Sequence, residues 1–179
     1  GATGGAFLLG TAPGVLRGLD VAESFTAYAT TASPLGGGCG FVIGGPTRIE
    51  HSVFERCHSA LYGGGVLVKE AVAGTGFANV TFSNCSAGRH GGAVHVEKSE
   101  SDARVSFDDT VFENNVAADR GGAVHADLYQ DVVLSGATVW FTGNVAVAGS
   151  GGAVYASDAA RLRVSARAPG GLVFSRNHA

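Results

Sequence analysis

Short apolar runs alternate with polar positions at a period of two, and the runs return about every thirty residues. In residues 91–120 they are Ala93–Val96, Arg104–Phe107 and Thr110–Phe112; in residues 121–150 they are Ala123–Ala126, Val132–Leu134 and Thr138–Phe141. Alternation of this kind predicts strands, and no 3.6-residue stripe appears from residue 36 onward. Pairs of glycines punctuate the pattern and divide the chain into units 4–35, 36–62, 63–90, 91–120, 121–150 and 151–179. Three short strands per unit, with turns between them, predict an all-β chain. Its expected form is one parallel β-helix segment over 1–179, of about six coils with roughly 30 residues per coil. The first unit is the least regular, and Val15–Phe25 reads equally as a short helix.

Alternation also predicts which residues stack inside. Equivalent residues of successive coils lie about 4.8 Å apart. The expected inward columns are Val66, Val94, Val124, Val154; Val68, Val96, Ala126, Ala156; Ser52, Val80, Thr110, Val139, Leu172; and Phe54, Phe82, Phe112, Phe141, Phe174. Three residues after each Phe comes the column Cys57, Cys85, Asn115, Asn144, Asn177. Stacked Asn side chains can bond one another and the free backbone groups of a bend. The Gly pairs suit positive φ or close backbone approach between coils.

The interleaved motifs are GGAV at 91–94, 121–124 and 151–154, with FENN at 112–115, FTGN at 141–144 and FSRN at 174–177. GGGV at 63–66, FERC at 54–57 and FSNC at 82–85 each depart in one position. This arrangement resembles the polymorphic outer membrane protein repeat, named for the chlamydial surface autotransporters. The resemblance covers residues 50–179 well and 1–49 poorly. It implies a right-handed β-helix displayed outside the cell, with structural or adhesive roles and no catalytic residues.

Composition supports a folded repeat. Apolar residues make up 45% of the chain, too many for disorder, and Gly is 29 of 179 without collagen's three-residue period. A net charge of −3, with no basic stripe, gives no nucleic-acid footprint. No apolar run approaches the roughly 18 residues that span a membrane. There is no Met, and the array stops at Ala179 before the next Gly pair, so a piece of a longer chain is expected.

Several residues are candidates for chemistry. His95 and Glu97, then His125 and Asp127, occupy equivalent places in adjacent coils, and alternation puts all four outward on one face. Two imidazoles and two carboxylates so placed can bind a divalent metal. The competing reading is a solvated face with cross-strand pairs, Lys69 pairing with Glu97. That reading is favoured, so no metal and no cofactor is expected. His51, His58, His90 and His178 share no spacing and read as surface or turn residues. Cys57 and Cys85 stack in one column, at a separation a disulfide accepts; the alternative is two buried thiols in place of ladder Asn. Cys39 has no assigned partner. Asn79 and Asn84 head glycosylation sequons.

An enzyme is not expected. The acids are scattered, Asp108 and Asp109 are adjacent and cannot line one strand face, and no nucleophile–His–acid set appears. The expected function is a structural or adhesive segment of a large extracellular or cell-surface protein, a rigid display rod. Its partners would be the rest of its own chain or other subunits of a surface assembly, with glycans or cell-surface proteins as further ligands. The alternative is a carbohydrate-binding or polysaccharide-cleaving β-helix of the pectin-lyase kind. That reading requires outward aromatics beside Trp140.

Overall fold

The structure is a computed structural model that describes residues 7–9, 13–22, 25–26, 36–97, 104–127, 131–157, 160–166 and 171–179. No helix occurs among them, and every strand pair is parallel. The strands wind into a β-solenoid whose turns are roughly 30 residues apart. Three sheets run along it. One is six-stranded and carries the strands that follow the Gly pairs, among them Val66–Lys69, Val94–Val96, Val124–Ala126 and Val154–Ala156. A ten-stranded sheet holds the Phe motif on strands such as Gly76–Ser83, Val111–Glu113 and Val139–Thr142. A five-stranded sheet of two-residue strands, including Ser86–Ala87 and Val116–Ala117, forms the narrow third side.

The register follows the hydrophobic pattern. Val66, Val94, Val124 and Val154 are direct partners, as are Val68, Val96, Ala126 and Ala156. Phe54, Phe82, Phe112, Phe141 and Phe174 stack with ring centroids 4.9, 5.3, 4.6 and 4.9 Å apart. Phe77 and Phe107 form a second stack, edge-on to Phe82 and Phe112. Each ring removed from water contributes about 1.5–3 kcal/mol, and all of these except Phe174 are fully buried. Phe174, on the strand stacked against Val139–Thr142, is 48% exposed.

Both glycines of a pair lie against backbone with no room for a Cβ, and the first also takes a left-handed conformation. The first Gly of a pair takes a positive φ, +66° at Gly91 and +65° at Gly121. The second packs against the next turn, so that a Cβ on Gly92 would strike the Gly122 carbonyl oxygen and the Val116 backbone.

Three expectations need correction. The solenoid has about four turns against the expected six, a slight difference in coil count. The stretch that reads equally as a helix is instead the strands Gly14–Arg17, Asp20–Ala22 and Phe25–Thr26. Phe25 pairs with His58, and Val21 takes the place opposite Phe54 in the Phe column.

The third correction concerns cysteine. Cys57 is bonded to Cys39, with Cα atoms 5.5 Å apart, and not to Cys85. Cys39 donates its N–H to the Gly65 carbonyl, as Gly65 does to Ala93 and Ala93 to Ala123, so it occupies the small-residue position after a Gly pair. The bond therefore crosses the interior of one coil instead of linking two coils along a column. Cys85 is left as a buried thiol.

Candidate functional site

The strands Val66–Lys69, Val94–Val96, Val124–Ala126 and Val154–Ala156 turn their valines inward. The residue between two inward positions points away from the coil interior. It forms a second column, Phe41, Leu67, His95, His125 and Tyr155, in direct register. Phe41, Leu67, His95 and His125 leave the interior but do not reach solvent, whereas Tyr155 is half-buried. His95 and His125 are each 2% exposed, and Leu67 is fully buried.

The cover comes from the residue immediately before each Gly pair. Tyr62, His90 and Arg120 form their own bridged column, one per turn. The Tyr62 and His90 rings lie on the histidines. Tyr62 stacks on His95 at 4.8 Å, His90 on His125 at 4.6 Å, His95 on His125 at 4.9 Å and His125 on Tyr155 at 5.2 Å. The Arg120 guanidinium lies 5.1 Å from the Tyr155 ring centroid and closes the far end. A solvated histidine face is thus corrected to a buried ring ladder, with one acidic neighbour shared by His95 and His125.

That neighbour is Asp127. Its two oxygens face different imidazoles, Oδ2 at 3.4 Å from His95 Nε2 and Oδ1 at 3.5 Å from His125 Nδ1. Both distances exceed a normal N–H···O hydrogen bond. His90 Nδ1 stands 3.6 Å from Asp119. Burial, and then charge on His95, hold His125 down to about 3, with Asp127 pulling the other way. His90 is lowered for the same two leading reasons. For Asp127 burial alone would raise the pKa, but contact with His95 and the charges of His95, His125 and His90 outweigh it and lower it.

Glu97 does not join the cluster. It is paired with Lys69 at 3.3 Å, one turn away. The side-chain donors that converge are those of His95, His125 and Asp127, all within 4.8 Å of one another.

His90 was not legible as part of this site, although Tyr62, His90 and Arg120 share a signal: each directly precedes a Gly pair. The other histidines bond sideways to the next turn, His58 to Ser86 and His51 to Asn79, both at 2.7 Å. Asn79 and Asn84 are exposed, each with φ +53°. Asp108 and Asp109 diverge. Asp108 meets Arg48 and Ser135, whereas Asp109 accepts from the N–H groups of Ala137 and Thr138. Trp140 is 45% exposed between Val111 and Val173 on the outer face.

The Asn column forms a polar spine. Asn115 Nδ2 donates to Asn144 Oδ1 and to the Phe82 carbonyl, and Asn144 repeats this with Asn177 and Phe112. Each Oδ1 also accepts a backbone N–H one turn back, from Cys85, Asn115 and Asn144 in succession. Among the described residues no helix is long and apolar enough to cross a membrane.

The model of the Chlamydia polymorphic membrane protein repeat matches the chain twice, at residues 109–127 and 141–157. Both matches begin in the Phe-motif region and run through the Gly pair into the following strand, so they span the two elements that define each turn. No curated protein and no solved structure matches the chain significantly. The repeat and the solenoid together fit a β-helical segment of a surface protein.

Proposed function

We propose that this chain is a rigid scaffold and display rod within a large extracellular or cell-surface protein, with adhesion carried on its outer faces. The observation that carries this reading is the unbroken register of the interior. Val, Phe and Asn columns continue from turn to turn, and the backbone bonds of every turn are made to the next. A body built in this way resists bending because any bend must open backbone bonds along one side. The matched repeat supports a surface setting, since it is one of polymorphic membrane proteins. The carbohydrate-cleaving alternative gains no support from Trp140, whose ladder neighbours Val111 and Val173 are not aromatic.

Antibodies raised against the folded chain test the reading on intact and permeabilised source cells. The expected result is equal labelling of both. Labelling that appears only after permeabilisation removes the surface role. The spacer role is tested by deleting residues 91–120, one whole turn, from the parent protein. A rod keeps its fold and loses about 4.8 Å of length; a protein that unfolds on this deletion is not a modular spacer.

A further inference from the structure

We infer that His95, His125 and Asp127 form a binding site for one borderline first-row divalent cation such as Zn²⁺, built across two turns of the solenoid. Three observations lead there. The first is the donor set. Two imidazole nitrogens and a carboxylate suit Zn²⁺ and its neighbours rather than Ca²⁺ or Mg²⁺, which take oxygen ligands.

The second is spacing. At metal–ligand distances of about 2.0–2.2 Å, the edges of a tetrahedral ligand set measure about 3.3–3.6 Å. The two His–Asp127 separations are 3.4 and 3.5 Å. They are long for hydrogen bonds, and each sets one imidazole nitrogen against a different oxygen of the one carboxylate, so Asp127 bridges the two rings and the donor set contracts on binding an ion. All three donors lie within 4.8 Å, and Asp127, 33% exposed at its side chain, has room to adjust.

The third is an accounting of buried polar atoms. Among the described residues four buried side-chain atoms have no hydrogen-bond partner, and three are the Nδ1 atoms of His90, His95 and His125. An orphaned buried donor or acceptor costs about 1–3 kcal/mol, and of the three only His125 Nδ1 is among the donors that converge on Asp127, His95 facing it through Nε2. A cation on His125 Nδ1 satisfies one of them directly. His90, stacked on His125, stands beside the site as a further imidazole. Glu97 is excluded because its carboxylate is held by Lys69. Three protein ligands leave a fourth position, open toward Asp127, for water or a donor from outside.

The test uses tag-free protein stripped with a chelator and titrated with ZnCl₂ by calorimetry, with metal content read by mass spectrometry after dialysis. The expected result is one Zn²⁺ per chain. Asp127→Asn keeps the shape of the side chain and is expected to weaken binding by about tenfold or more. The double variant His95→Ala with His125→Ala is expected to abolish binding. Should that variant fail to fold, Asp127→Asn and a Co²⁺ spectrum of the wild type carry the decision, the visible bands of a tetrahedral nitrogen–oxygen site being expected. His178→Ala, exposed and outside the cluster, is expected to bind as wild type does. Absence of stoichiometric uptake overturns the site, leaving ordered water as the partner of the orphaned nitrogens. Binding by Asp127→Asn equal to wild type also overturns it.

Discussion

Asn115 Nδ2 donates to Asn144 Oδ1 at 2.9 Å inside a fully buried column, and the same oxygen accepts the Asn115 backbone N–H at 3.0 Å. One side chain thus fixes both the backbone and the side chain of the turn before it. Its own amide reaches back to the Phe112 carbonyl. Replacing Asn144 with Ala leaves three buried polar groups short of a partner, each at about 1–3 kcal/mol, for an expected loss of about 3–9 kcal/mol. Asn177→Ala removes the equivalent acceptor at the half-buried last rung, where water replaces part of it, and is expected to cost less. Urea unfolding of the two variants checks the order; equal losses would show that burial does not set the strength of the spine.

The Cys39–Cys57 bond closes a separation of 18 residues within one turn. Chain-entropy reasoning assigns a loop of that size about 3 kcal/mol. Cys39→Ala is a clean probe because Ala93, Ala123 and Ala153 hold the same place in the other turns. Its expected effect is a loss of about 3 kcal/mol in non-reducing urea unfolding, matched by reduction of the wild type. Peptide mapping without reduction should recover Cys39 linked to Cys57. A fragment joining Cys57 to Cys85 would overturn the assignment.

The residues legible from sequence are those whose column repeats without exception. Phe54 to Phe174, Val66 to Val154 and Asn115 to Asn177 keep their type, so alternation and period alone place them in register. Cys39 was opaque because Gly36, Gly37 and Gly38 precede it and Gly44 and Gly45 follow, leaving two competing registers for that turn. The histidines were misplaced for a different reason. Alternation correctly sends His95 and His125 away from the interior, but it carries no information about what lies over the outer face. That cover is Tyr62, His90 and Arg120, three residue types that share position and ring or cation contacts, not hydropathy.

Three consecutive positions separate the roles of the Gly motif. Gly91→Ala imposes a side chain on φ +66°, worth about 1–2 kcal/mol, and also drives a Cβ into the Val94 carbonyl oxygen, so its expected total cost is higher. Gly92→Ala drives a Cβ into the Gly122 carbonyl oxygen and the Val116 backbone, neither of which can rotate aside. Its expected cost is above about 3 kcal/mol, with failure to fold as the extreme. Ala93→Gly is expected to cost only about 1 kcal/mol, because Gly65 fills that place one turn earlier. Thermal and urea unfolding of the set should place both glycine variants well below Ala93→Gly. A mild Gly92→Ala would show that successive turns can part at this point without penalty.

Cys85 stands where the other turns carry ladder Asn, and two properties follow from that. Burial, only partly offset by bonds to the Cys57 and Ser83 backbone, pushes its thiol up to about 12 from 9.0. A raised folded-state pKa means that the unfolded chain gives up the proton first. The stability tied to this thiol is therefore complete below pH 9.0 and lost as pH rises toward about 12. At pH 9, iodoacetamide should label Cys85 in denaturant and leave it untouched in the native protein, because the native thiolate is scarcer by roughly a thousandfold. Rapid native labelling would place the thiol at the surface. The second property concerns the spine. Cys85 Sγ already points at the Phe54 carbonyl at 3.5 Å, as Asn115 points at Phe82, and Asn115 Oδ1 accepts only from the Cys85 backbone among the described bonds. Cys85→Asn replaces the thiol by an amide that can donate to Asn115 Oδ1, as Asn115 donates to Asn144, and is expected to raise stability by about 1 kcal/mol. A loss instead would mean that the interior beside the Cys39–Cys57 bond has no room for an amide, which would confine the Asn spine to the turns beyond residue 91.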